Sequence, residues 1–309
     1  MPRAPYAAHA GFVAPARDQS DLRLLAVGVL LVEVIYLASV HLTEPLLTLF
    51  PVIPADAVME GTTPAGLRFQ LFSFVTLGLA VVLVARRLHG RGFASLLGPV
   101  GPMLRQMTRV TLVAGAMTLA VQVLTLEPAM LEHAEMRPLG PWLALLPLSL
   151  AALLVQTGAE ELFYRGYVQQ QLAARHTSPW VWMVLPSLLF AAAHYTSDMS
   201  AGEATQYLVW AFFFGLAAAD LTARSGNLGP AIGFHLVNNA LAFLIYGEAQ
   251  GPDSGLALFL FPADAPLGDL PDGLPDAGLT EAPGLDLLFL SDLAGILLLW
   301  IAARIAIRR

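Results

Sequence analysis

Between residues 22 and 304 the chain returns eight times to a run of roughly 17 to 22 mainly apolar residues, and this repetition limits what it can fold into. The runs are 22–42, 67–85, 109–126, 142–163, 179–195, 204–222, 227–247 and 285–304. As a helix, about 17–25 apolar residues cross the ~30 Å hydrocarbon core of a bilayer, so each run is a candidate span. The run at 179–195 is the shortest. Composition agrees, since 57% of the 309 residues are apolar and 13% charged, where a soluble chain carries about 25% charged residues. The expected fold is all-α: a polytopic transmembrane helix bundle of about eight spans. The absence of cysteine removes a disulfide scaffold, a thiol nucleophile and thiolate metal sites. A formal charge of −7 with no dense basic face argues against nucleic acid as a partner.

Arginine is retained on the cytoplasmic side of short loops, so its placement sets orientation. With the N-terminus inside, fourteen of the sixteen basic residues fall inside or at the inner boundary, and only Arg68 and Arg137 fall outside. The C-terminal Arg304, Arg308 and Arg309 then require an even number of spans, placing both termini in the cytoplasm. Residues 1–21 read as a cytoplasmic tail, and 22–309 as one membrane domain. The competing reading of 24–40 as a signal peptide is weakened by its length and by Glu33. The expected location is a bacterial-type inner (plasma) membrane, with lipid as an obligatory partner.

Between spans two and three, Gly98-Pro99 and Gly101-Pro102 are expected to break any helix. Residues 248–284, rich in Asp, Pro and Gly, read as an irregular acidic outer loop. Its Asp269, Asp272 and Asp276 do not have the spacing of a looped calcium site. Its apolar stretch Leu256 to Phe261 is expected at the outer leaflet.

An ionisable side chain inside a span costs about 2.5–3.5 kcal/mol on insertion scales, which makes each one a functional candidate. Six qualify: Glu33, Glu160, Glu161, His194, His235 and Asp292. Glu33 and Asp292 stand alone on their spans and are read as structural. Glu161 and Arg165 are four apart on one helix face, where carboxylate and guanidinium can pair. Glu160 points about 100° away, an arrangement that suits an orienting residue beside a working base. If spans four and five form a hairpin turning near Thr177, Glu160 and His194 come to the same level. His235 and Asn239, again four apart, share a face of span seven.

The three motifs Glu160-Glu161-x-x-x-Arg165, Phe190-x-x-x-His194 and His235-x-x-x-Asn239 together resemble the CAAX-protease and bacteriocin-processing (CPBP, or Abi) family of intramembrane proteases. The resemblance covers about residues 142–247, a protease-like core. It implies a membrane endopeptidase, whose best-known relatives remove three residues from prenylated CAAX proteins. The substrate it implies is a membrane-associated protein or peptide, in CAAX-type processing or in peptide maturation and immunity. Carried over by position, Glu160 activates a water with help from His194, His235 and Asn239 bind the carbonyl or its oxyanion, and Glu161 and Arg165 hold the site in shape. A zinc form with Glu160, His194 and His235 as ligands stands beside a metal-free glutamate mechanism.

The resemblance to prenyl proteases implies a site that opens inward. The polar stretch from Tyr195 to Glu203, directly after His194, instead sets His194 near the outer end of span five. Two other functions fit the same polar groups. One is a non-catalytic scaffold or immunity protein that binds through the cavity, and the other is a proton-coupled transporter using the carboxylates and histidines as a relay.

Overall fold

A computed structural model of the chain describes residues 5–125, 133–195, 199–262 and 287–308. It is a bundle of apolar helices: α1 (Leu22–Leu49), α2 (Pro64–His89), α3 (Val100–Thr125), α4 (Leu139–Arg175), α5 (Trp180–Ala193), α6 (Ala201–Ser225), α7 (Gly229–Leu244) and α8 (Leu287–Ile307). Among the described residues, six of these are long and apolar enough to cross a membrane by length and composition. The exceptions are α5, the run already shortest in the sequence, and α7, which has 16 residues. The long helices make this an integral membrane protein.

Local chemistry sets the helix boundaries. Asp21 caps α1 by accepting N–H bonds from Arg23 and Leu24, which holds its carboxyl below the usual range. Thr63 caps α2, and Pro64 takes the first helical position, where a missing N–H costs nothing. Ser200 and Glu203 form a reciprocal capping box on α6. Gly90 and Gly226 end α2 and α6 in the left-handed conformation, at φ +62° and +72°. Of the two breaks expected before span three, only Gly98-Pro99 stops the chain, with Gly98 at φ +78°. Gly101 and Pro102 lie inside the first turn of α3, where proline is tolerated.

Short connections at residues 176–179 and 226–228 make α4/α5 and α6/α7 antiparallel neighbours, while α3 packs chiefly on α7 and α8. The C-terminal ends of α2, α4, α6 and α8 share one end of the bundle, joined there by the His89–Tyr167, Leu228–Leu97 and Trp300–Asp220 hydrogen bonds, and Arg86, Arg87, Arg175, Arg224, Arg304 and Arg308 gather there. The segment before α1 folds onto that end. It forms a short helix (His9–Val13) and a 3-10 turn (Ala14–Gln19), and buries His9, Phe12, Val13 and Ala16. Tyr6 donates a 2.8 Å bond to Asp220 of α6, and its ring lies beneath the Arg224 guanidinium.

At the opposite end the chain departs from a purely helical reading. Strands β1 (Glu135–Met136), β2 (Tyr246–Glu248) and β3 (Phe259–Phe261) form a small sheet in the order β1-β3-β2. The β1/β3 pair is antiparallel and the β2/β3 pair parallel. The first part of the expected irregular loop is thus ordered. Its apolar stretch faces inward rather than toward lipid: Leu256, Ala257 and Phe261 are buried, and Trp142 of α4 donates to the Leu256 carbonyl. Asp269, Asp272 and Asp276 lie outside the described residues.

Candidate active site

The site is built on α4 where its hydrogen bonding changes. After Glu160 and Glu161 the helix continues without a break but widens to a π-helical stretch over Leu162–Gln169. Such insertions rotate the following side chains relative to a regular helix and recur at functional sites. The neighbouring backbone comes close here, because a Cβ on Gly166 would sit 2.9 Å from the Leu96 carbonyl oxygen.

Glu161 and Arg165 form the pair their spacing predicts, at 3.0 Å, with both side chains wholly buried. The second guanidinium nitrogen donates to the Gly215 carbonyl of α6 at 3.0 Å. The guanidinium also lies over the Phe190 ring, 4.8 Å from its centre. Arg165 therefore ties α4 to α5 and α6. A side chain at Gly215 would come within 3.0 Å of Ser187 Cβ on α5, so glycine permits the close packing that brings its carbonyl into reach.

His235 of α7 completes this cluster. Its Nδ1 is 2.8 Å from Glu161 Oε1, the same oxygen that accepts from Arg165. The carboxylate can only accept, so Nδ1 carries the proton, and Nε2 turns toward Glu160, 3.5 Å from Oε2. Glu160 Oε2 is buried and has no hydrogen-bond partner among the described residues. Phe190 and Phe214 meet the His235 ring edge-to-face, at 5.9 and 4.9 Å between centres, and fix its plane.

Asn239 lies one turn above His235 and donates Nδ2 to Gln156 Oε1 at 2.8 Å, while its own Oδ1 accepts from Asn238 at 3.1 Å. One N–H of Asn239 is thus committed, and its amide orientation is set. His194 follows the last turn of α5. Its Nδ1 lies 2.8 Å from the Phe190 carbonyl and must donate to it, which leaves Nε2 as the accepting nitrogen. Its ring also packs on Phe190, 4.3 Å between centres.

Glu160, His194, His235 and Asn239 all line one cavity of about 1150 Å³. Glu161 and Arg165 sit behind its wall. Glu33 and Asp292, read from the sequence as structural residues of separate spans, line the same cavity. So does Gln156, whose signal was available: it precedes Glu160 by four residues and is a polar group within an apolar run. Tyr164 and Tyr207 add hydroxyls to the lining. Among the described residues no three His, Asp or Glu groups gather as one metal ion requires.

The family model described as type II CAAX prenyl endopeptidase Rce1-like matches residues 141–241, a stretch that contains every residue of the cluster. A protein of Bacillus subtilis (strain 168) described as "Uncharacterized protein YyaK" is 27% identical over 116 residues. That similarity covers 36% of this chain and 38% of the relative's length. No solved structure gives a significant match. Over residues 141–241 the chain is therefore homologous, at the level of the family, to the Rce1-like CAAX protease domain.

Proposed function

We propose that the protein is an intramembrane endopeptidase that hydrolyses a peptide bond of a membrane-associated protein or peptide with a water activated by Glu160. The observation that carries this reading is the buried carboxylate oxygen of Glu160, without a hydrogen bond among the described residues and 3.5 Å from His235 Nε2, at the wall of a large cavity. In this scheme a water bound to Glu160 Oε2 gives up a proton to that oxygen as its own oxygen attacks the carbonyl carbon. His194 Nε2 accepts the second hydrogen bond of the water and orients it. The uncommitted Nδ2–H of Asn239, and His235 Nε2 when it bears a proton, donate to the carbonyl oxygen as negative charge develops there. Glu160 then returns its proton to the leaving amine as the C–N bond breaks. Glu161 and Arg165 keep His235 in one tautomer and one plane.

A zinc form of the proposal requires Glu160, His194 and His235 on one ion. The pair Glu160–His235 has the spacing of two ligands of a tetrahedral site, but His194 is not grouped with them, so no step is routed through a metal.

The test uses the purified full chain in detergent with a quenched fluorogenic peptide bearing a lipid anchor. Glu160→Gln is expected to lower kcat by about 10²–10⁴-fold, the usual contribution of a general base, with an unchanged thermal midpoint. Wild-type turnover by a folded Glu160→Gln protein would end the assignment. Chelator treatment is expected to leave the wild-type rate unchanged, whereas a loss that zinc restores would move the reading to the metal form.

A further inference from the structure

The cavity is not symmetric along the bundle. Its deep wall is made of buried side chains, His235, Phe190 and Phe214 among them. Its exposed lining comes from Met199 just before α6, Glu203 in the first turn of α6, Asp292 near the start of α8, Ala242 near the end of α7, Ala193 at the end of α5 and Leu37 in the second half of α1. The starts of α6 and α8 lie at the end opposite their own Arg224, Arg304 and Arg308. The end of α7 lies there too, because α7 sets out from the arginine-bearing end through the turn at 226–228.

The arginine-bearing end is closed. Beneath the catalytic cluster Phe163, Tyr167, Leu228 and Phe234 are wholly buried. Under them the N-terminal segment packs so tightly that a Cβ on Gly226 would sit 2.5 Å from the Ala8 carbonyl oxygen. Arginine-rich loops remain in the cytoplasm, so the closed end is cytoplasmic and the open end faces away from it.

We infer that the catalytic cavity is entered from the extracytoplasmic side, and that its substrate is a peptide segment displayed on that face, such as an exported or secreted membrane-associated peptide. The inference rests on the protease reading only in calling the cavity catalytic. It sets the site apart from one that serves cytoplasmic prenylated C-termini. The acidic groups at the mouth and the position of His194 after the last turn of α5 accord with entry at this end.

The absence of cysteine makes the test direct. Single variants Met199→Cys at the rim, Ala193→Cys beside His194 and Ala94→Cys in the loop at the arginine-bearing end are expressed as full chains and exposed to a membrane-impermeant maleimide. In intact cells stripped of their outer wall, the first two are expected to label and the third to label only after permeabilisation. The reverse pattern, or labelling of Met199→Cys and Ala193→Cys only after permeabilisation, would overturn the inference. Labelling reads access and not hydrolysis, so its outcome is independent of whether Glu160→Gln loses activity.

Discussion

Glu161 Oε1 accepts from Arg165 and from His235, and the site depends on that shared oxygen. The sequence showed half of this arrangement. A spacing of four on one helix announces the Glu161–Arg165 pair, but no local pattern announces a partner 74 residues away on another helix. The Gly215 carbonyl that accepts from Arg165 was equally invisible, since every residue carries the same backbone oxygen. Burial of the pair gives a sharp expectation. Glu161→Leu leaves the guanidinium buried without its carboxylate and is expected to cost about 3–5 kcal/mol of stability, together with all activity. Glu161→Leu combined with Arg165→Met removes both charges and is expected to recover most of that stability while remaining inactive. Equilibrium unfolding of the three proteins in mild detergent distinguishes the cases. A double variant no more stable than the single one would show that the pair is not coupled as its 3.0 Å contact implies.

Among the elements, long helices were legible and short ones were not. A run of twenty apolar residues has a single solution in a membrane, whereas the N-terminal segment is too short and mixed to show a period. Residues 9–19 nevertheless fold, because Phe12, Val13 and Ala16 gain burial against the arginine-bearing end. His9 is buried with them, 4.4 Å from the Trp182 ring, and burial lowers its pKa from 6.5 to about 4. As pH falls the released segment takes up its proton first, near 6.5, while the docked segment resists until about 4. Docking stability from His9 is therefore complete above about pH 6.5 and is lost as pH falls toward 4, at about 1.4 kcal/mol per unit within that window. Tryptophan emission is expected to shift to the red across this range, as the Trp182 environment opens. In His9→Phe, which keeps the ring and removes the titration, the shift is expected to disappear. An identical acid transition in that variant would place the responsible group elsewhere.

At the scale of the whole molecule, the gathering of arginines at one end of the bundle was legible in the sequence, because it depends on counting and not on folding. The small sheet was hidden, since strands of two or three residues carry no usable alternation. The polar stretch after His194 hinted in the sequence at the end where the cavity opens, the packed helices supply its lining, and that lining has a consequence for substrate charge. Glu33, Glu203 and Asp292 line the cavity beside Glu160, the chain contains no lysine, and none of the described lining residues is arginine. Glu203 spends part of its charge on the Ser200 cap, and Arg165 is already neutralised by Glu161. The cavity lining thus holds more carboxylates than Lys or Arg side chains within low-dielectric walls, an arrangement that focuses an attractive potential on cations. A peptide substrate with lysine flanking the cleaved bond is expected to be hydrolysed on the order of tenfold faster in kcat/KM at low salt than one with glutamate there. The advantage is expected to shrink toward physiological salt, as the screening length falls from about 30 Å at 0.01 M to about 8 Å at 0.15 M. It is also expected to shrink in Glu33→Gln/Asp292→Asn, which removes carboxylates from the lining without altering Glu160, His194, His235 or Asn239. A lysine preference indifferent to both salt and that double variant would mean that specificity is set by direct contacts at the cleaved bond and not by the field of the lining.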